Sequence, residues 1–186
     1  MSLLTITHLK VHFPTQDGVV KAVNTVDLEM ENGERLGLIG ETGCGKTVLG
    51  MSIIRLLQPA TKVEGKIVYK SKDILKLSEE EMRKIRGKEI AMIFQNPTTF
   101  LNPVLKIGYQ IAESTQLHQG LDKKAAKEKA VGMLEAVKIP LSSKRVSEYP
   151  HQFSGGMKER AMVAMGLACD PSLIIADEPT KGLDIT

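Results

Sequence analysis

The stretch Gly40-Glu41-Thr42-Gly43-Cys44-Gly45-Lys46-Thr47 has the spacing G-x-x-x-x-G-K-[ST], which puts glycines, one lysine and one threonine hydroxyl on a single short loop. That combination does phosphate chemistry. The glycines let successive backbone N–H groups turn inward around a β-phosphate, and Lys46 adds a point charge toward the β- and γ-phosphates. Thr47 offers a hydroxyl to Mg²⁺, and a following helix contributes its N-terminal dipole. The competing reading is a glycine-rich strand-to-helix turn with a solvated lysine; the register of strand, loop, Lys and Thr argues against it. Cys44 reads as a spacer whose backbone does the work, and alkylation of its thiol is expected to block nucleotide binding.

A second set lies far downstream. Leu173-Ile174-Ile175-Ala176-Asp177-Glu178 is an apolar run that reads as a buried strand ending in adjacent carboxylates, as expected where a parallel sheet presents acids at its carboxyl edge. Asp177 could hold Mg²⁺ through water, and Glu178 could orient or deprotonate an attacking water. An Asp-Glu pair opening a turn at Pro179 is common without any such role, and it is the pairing with the phosphate loop that favours chemistry. Ser154-Gly155-Gly156 ahead of an amphipathic helix offers a hydroxyl and backbone N–H groups at a helix start, either as a cap or as an anion site. Gln95, following an apolar run and preceding Asn96-Pro97, reads by itself as a polar loop residue.

Elements must place these groups. Apolar positions at Leu4, Ile6 and Leu9, then at Val19, Val20, Val23, Val26 and Leu28, predict two strands around Thr15-Gln16-Asp17-Gly18. Arg35-Leu36-Gly37-Leu38-Ile39, bounded by glycines, predicts a strand buried on both faces that feeds the phosphate loop. Leu49, Ile53, Ile54 and Leu57 follow helical spacing up to Gln58-Pro59. A short strand is expected between Val63 and Tyr69. It precedes a charged helix from Ser78 to Arg86, with Glu81 placed to complete a cap, and then a buried strand at Ile90-Ala91-Met92-Ile93-Phe94. Residues 106–149 carry helical patterning behind a possible cap at Asp122, and a further helix runs from Gly156 to Ala168.

Composition narrows the classes. The 186 residues suffice for one compact domain, and 42 % hydrophobic with 25 % charged is a soluble globular balance. Aromatics reach only 4 % and are scattered, which disfavours base stacking and a nucleic-acid partner. A net charge of +3 suits a phosphate ligand without calling for a polyanion. Cys44 and Cys169 lack metal-ligand spacing, so reduced cytosol is the expected compartment. No apolar run approaches the ~18 residues of a membrane span, and the start lacks a basic region before an apolar one.

Taken in order, these pieces resemble the nucleotide-binding subunits of ATP-binding cassette transporters, and Phe153-Ser154-Gly155-Gly156-Met157-Lys158-Glu159-Arg160 looks like that family's signature loop. Gly182-Leu183-Asp184 looks like its aspartate loop. Ile93-Phe94-Gln95-Asn96-Pro97 with Leu101-Asn102-Pro103, and Ala168-Cys169-Asp170-Pro171, are most similar to the dipeptide and oligopeptide importer branch, which includes nickel importers. Met157 stands where many members have Gln, and Lys181-Gly182 replaces a more usual small pair.

The resemblance implies an α/β, RecA-like P-loop core with a mainly parallel sheet, an N-terminal antiparallel β-subdomain and an inserted α-helical subdomain. In residues, the core and β-subdomain are 1–95 and 155–186, and the helical subdomain is 96–154. It further implies ATP and Mg²⁺ as cofactors, with Gly40 through Thr47 around the phosphates and Lys46, Gln95 and Glu178 in catalysis. Thr47, Gln95 and Asp177 would attend the metal. Phe13 looks like the aromatic that stacks on adenine, a position core packing could equally require. Ser154, Gly155 and Gly156 would act on the ATP of a second cassette subunit. The implied assembly is a homo- or heterodimer on transmembrane permease subunits, served by an extracytoplasmic binding protein, at the inner face of the cell membrane. Family members continue to a switch-loop histidine, and none of His8, His12, His118 and His151 occupies that place. The sequence therefore reads as a fragment ending two residues past Asp184, with turnover expected to be impaired. A nucleotide-binding module without catalysis and a cassette ATPase without a membrane partner are the alternatives.

Overall fold

The alternating residues at the start form two long antiparallel strands, β1 (Ser2–Thr15) and β2 (Gly18–Glu31), which meet where Thr15 faces Gly18. The turn between them is the one the sequence marks, with Gly18 at φ 136° and the Thr15 hydroxyl donating to its carbonyl at 3.0 Å. The computed structural model describes residues 2–178. β3 (Lys62–Tyr69) pairs antiparallel with the other edge of β1, and the short β4 (Lys72–Asp73) follows, giving the order β2-β1-β3-β4. β1 is thus central, and Leu4, Ile6, Leu9 and Val11 are buried from it. Where the β1–β3 register slips after Thr7, Gly65 (φ 102°) lies so near that a Cβ would stand 2.6 Å from the His8 carbonyl oxygen. Only glycine fits there.

α1 (Lys46–Ile53) packs on β1 and β2 through Leu49 and Ile53. The sequence pattern extends this helix to Leu57, but it stops at Ile53. Arg55 takes a left-handed φ of 52°, its N–H donates to Ser52 O at 3.1 Å, and the Leu56 N–H donates to Met51 O at 3.0 Å. The Arg55 guanidinium then donates to Ile74 O at 3.2 Å and Leu77 O at 2.6 Å, tertiary bonds that offset the strain of this backbone. α2 (Glu79–Ile85) begins with the expected box: Glu81 N–H donates to Ser78 Oγ at 3.3 Å and Ser78 N–H to Glu81 Oε2 at 2.7 Å. Compact packing divides the chain between Arg83 and Lys84 into two units.

In the second unit β5 (Ile90–Ile93) and β6 (Leu173–Ala176) pair in parallel, Ile90 opposite Leu173 and Ile93 opposite Ala176. Between them come α3 (Pro97–Phe100), α4 (Ile107–Gln119), α5 (Lys123–Ala136), α6 (Ser142–Arg145) and α7 (Gly155–Leu167). A core of Ile107, Ile111, Ala126, Ala130, Leu134 and Ala164 joins α4, α5 and α7. Asp122 caps α5 as expected, accepting from Ala125 N–H at 2.8 Å.

Two expectations are corrected. Arg35–Ile39 is not a buried strand: among the described residues it has no ladder partner, and Leu36, Leu38 and Ile39 are 47, 50 and 97 % exposed. A run buried on both faces needs neighbours to cover it, which local pattern cannot supply. β6 is likewise only partly covered, with Ile174 exposed.

Candidate functional site

The phosphate loop belongs to the first unit, and its shape follows from its glycines. Gly43 (φ 83°) and Gly45 (φ 99°) occupy the left-handed region, and Gly45 abuts β2 so closely that a Cβ would stand 2.2 Å from the Ala22 carbonyl oxygen. A Cβ on Gly40 would fall 2.7 Å from Cys44 Sγ. Gly45 is the residue before α1, and no side chain caps the helix, so its start is open to an anion. Lys46 folds back over the loop, donating from Nζ to Gly40 O and Glu41 O, each at 2.7 Å. Cys44 is exposed, with Sγ 3.7 Å from the same ammonium. Glu41, Thr42 and Thr47 are also exposed.

Beside the loop lies a cleft of ≈ 390 Å³ bordered by Lys21, Val23, Leu38, Gly45 and Lys46. Its lining adds Lys21, a second cation that sequence reasoning missed. Strand alternation tells which face a residue takes, not which loop folds over that face. Phe13, opposite Val20 on β2, is half-buried, so its ring keeps an open part.

The second unit carries the other groups. Parallel pairing of β5 with β6 brings their carboxyl ends together, and the Asp177 N–H donates to Ile93 O at 2.9 Å. Gln95 and Glu178 meet there: Gln95 Nε2 donates to Glu178 Oε2, joining two residues far apart in sequence. Glu178 holds a left-handed φ of 45°, a costly backbone for a non-glycine residue and one found at functional sites. The Phe94 ring, next to Gln95 in sequence, stacks on Phe100 with centroids 3.8 Å apart. Ser154 caps α7, its Oγ accepting from Met157 N–H at 3.3 Å, which satisfies the capping reading. Ser154 and Gly155 are exposed, and a Cβ on Gly155 or Gly156 would meet nothing within 4 Å. The aspartate loop at Gly182-Leu183-Asp184 lies outside the described residues.

Among the described residues no three His, Cys, Asp or Glu side chains gather as a chelating set. Mg²⁺ keeps several waters and takes one or two protein oxygens beside those of phosphate. The Thr47 hydroxyl, the Asp177 carboxylate and the Gln95 amide oxygen are hard donors of the right kind.

The sequence matches the ABC transporter family over residues 23–181. The chain belongs to that family. Among its curated ABC relatives, the probable peptide ABC transporter ATP-binding protein y4tR of Sinorhizobium fredii is 48 % identical over 99 % of this chain and 56 % of its own length. The dipeptide transport ATP-binding protein DppD of Bacillus subtilis is 47 % identical over 99 % of this chain and 56 % of its own length. The chain therefore spans little more than half of these relatives. Its fold is that of an ABC cassette: the dimeric cassette MJ0796, in a post-hydrolysis state bound to ADP and Pi, superposes with a TM-score of 0.87 over 98 % of this chain and 76 % of that one at 24 % identity. No helix among the described residues is long and apolar enough to cross a membrane.

Proposed function

We propose that this chain is the ATP-binding part of a subunit that hydrolyses ATP to power import through a peptide-type ABC transporter. The observation that carries the reading is the formed phosphate loop, with Lys46 held over it by the Gly40 and Glu41 carbonyls at the open start of α1. Names of the curated relatives, which are peptide and dipeptide transport ATP-binding proteins, support the transport class.

In this reading the backbone of Gly40 through Thr47 and the Lys46 ammonium bind the phosphate chain, and Phe13 stacks on adenine. Bound Mg²⁺ would neutralise charge developing on the phosphoryl oxygens, with Thr47, Gln95 and Asp177 as the residues that hold it or its waters. Glu178 accepts the proton of the attacking water, and Gln95, which donates to Glu178 in this structure, orients that carboxylate until nucleotide engages the glutamine. Exposed Ser154 with Gly155 and Gly156 serves the nucleotide of a second cassette subunit; dimeric MJ0796 with ADP and Pi supports such pairing. The helical residues 96–154 face transmembrane permease subunits, which an extracytoplasmic binding protein supplies with substrate. The subunit works at the cytoplasmic face of the membrane and takes no nucleic acid.

One feature favours a second reading, binding without turnover: the strand expected to feed the phosphate loop is exposed at Leu36, Leu38 and Ile39. One experiment separates the two. Equilibrium MgATP binding should weaken at least about tenfold in Lys46→Ala, since the ammonium faces the phosphates. Glu178→Gln should keep binding and abolish phosphate release. Binding indifferent to Lys46 sinks the nucleotide reading; Lys46-dependent binding without release in the unmodified chain selects the second reading.

A further inference from the structure

Along the chain between Gln95 and Ser154 stands one buried amide. Gln110, on the first turns of α4, is 7 % exposed. Its Oε1 accepts from Asn102 N–H at 2.8 Å, and its Nε2 donates to Asn102 O and Leu105 O, each at 3.0 Å. Both donor hydrogens of the amide are therefore used on the loop that leaves α3. That loop is the continuation of the Gln95 segment, and α3 itself is tied back to β5 by the stacked Phe94 and Phe100 rings.

The same turn of α4 is held from another side. Its first two free N–H groups, of Ile107 and Gly108, donate to Glu148 O and Val146 O, each at 2.9 Å. Helix starts leave such donors unpaired, and here the backbone of the segment entering the signature loop pairs them. The approach is close, since a Cβ on Gly108 would stand 2.4 Å from the Val146 carbonyl oxygen. From Glu148 the chain passes a tight turn, closed by Tyr149 N–H donating to Gln152 Oε1 at 2.9 Å, and buried Phe153, and reaches Ser154.

We propose that Gln110 is a positioning residue for both loops, fastening the chain that leaves Gln95 to the helix turn that holds the chain entering Ser154. A side chain with three bonds to one loop transmits displacement; water in its place would let the loop slide. This rests on the reading of Gln95 and Ser154 as nucleotide-facing groups.

The test is amide hydrogen exchange of the whole chain against Gln110→Glu, which removes both donors and sets a carboxylate against two carbonyl oxygens. Exchange should accelerate at least about fivefold in residues 101–106 and also in 149–154, while α5 and α7 stay within about twofold of the unmodified chain. Acceleration confined to 101–106 overturns the proposal, as does uniform acceleration through α5 and α7, which would make Gln110 merely structural. If Gln110→Glu does not fold, Gln110→Ala removes the donors without the charge and is read in the same way. In ATP turnover, kcat should fall about tenfold with KM within about twofold, and an unchanged kcat beside accelerated exchange also overturns it. Absence of turnover in the unmodified chain would count against the hydrolytic reading instead, and the exchange pattern would still decide the role of Gln110.

Discussion

Lys46 is held by carbonyl oxygens of its own loop, and among the described residues no carboxylate pairs with it. The charge is oriented but not neutralised, the state a phosphate site needs. Cys44 reports on that site, because its exposed thiol is 3.7 Å from the ammonium. Maleimide labelling of Cys44 should slow at least about fivefold under saturating MgATP, and the labelled chain should no longer bind nucleotide. Equal labelling with and without nucleotide would place ATP elsewhere. His118 makes a prediction of a different kind. Burial first, and the nearby Lys88 charge second, hold its imidazole below the ordinary value of 6.5. The unfolded chain then binds the proton more readily. The stability this group contributes is complete above pH 6.5 and is lost as pH falls toward the lowered value. Urea unfolding between pH 7 and pH 5 should show that loss shrinking in His118→Gln, with an NMR midpoint for His118 below the ordinary value.

At the scale of elements, caps were legible because they are local. Ser78 with Glu81, Asp122 and Ser154 each stand where their side chains meet orphan N–H groups three residues on, and each does so in the structure. Asp122→Ala should therefore cost about 1 kcal/mol, read as a lower denaturant midpoint at constant m-value. No change would mean that the helix core holds α5 without its cap. The end of α1 was not legible. Its apolar spacing continues to Leu57, and what stops it is Arg55, whose guanidinium finds the Ile74 and Leu77 carbonyls only once the turn at Ile74–Lys76 is folded beside α1. Gln110 was missed for the same reason: a glutamine inside a helical pattern gives no sign that its amide will bind a loop.

At the scale of the whole molecule, burial separates two apolar runs of similar appearance. Leu134 is fully buried among α4, α5 and α7, whereas Ile39 is 97 % exposed. Leu134→Ala should cost about 3 kcal/mol through lost contacts and a cavity, and Ile39→Ser should stay within about 0.5 kcal/mol. A large cost at Ile39, measured in the same unfolding experiment, would mean the segment is buried in solution as its pattern suggests. By itself the sequence determined the phosphate loop, most of the strands and helices, the caps and the family, because each depends on residue types at short, fixed spacings. Tertiary structure alone decided that Arg35–Ile39 lies uncovered, that Gln95 meets Glu178, and that one buried glutamine joins two loops. Those outcomes depend on which distant backbone arrives as a neighbour, and hydrophobic pattern specifies a face to be covered without specifying what covers it.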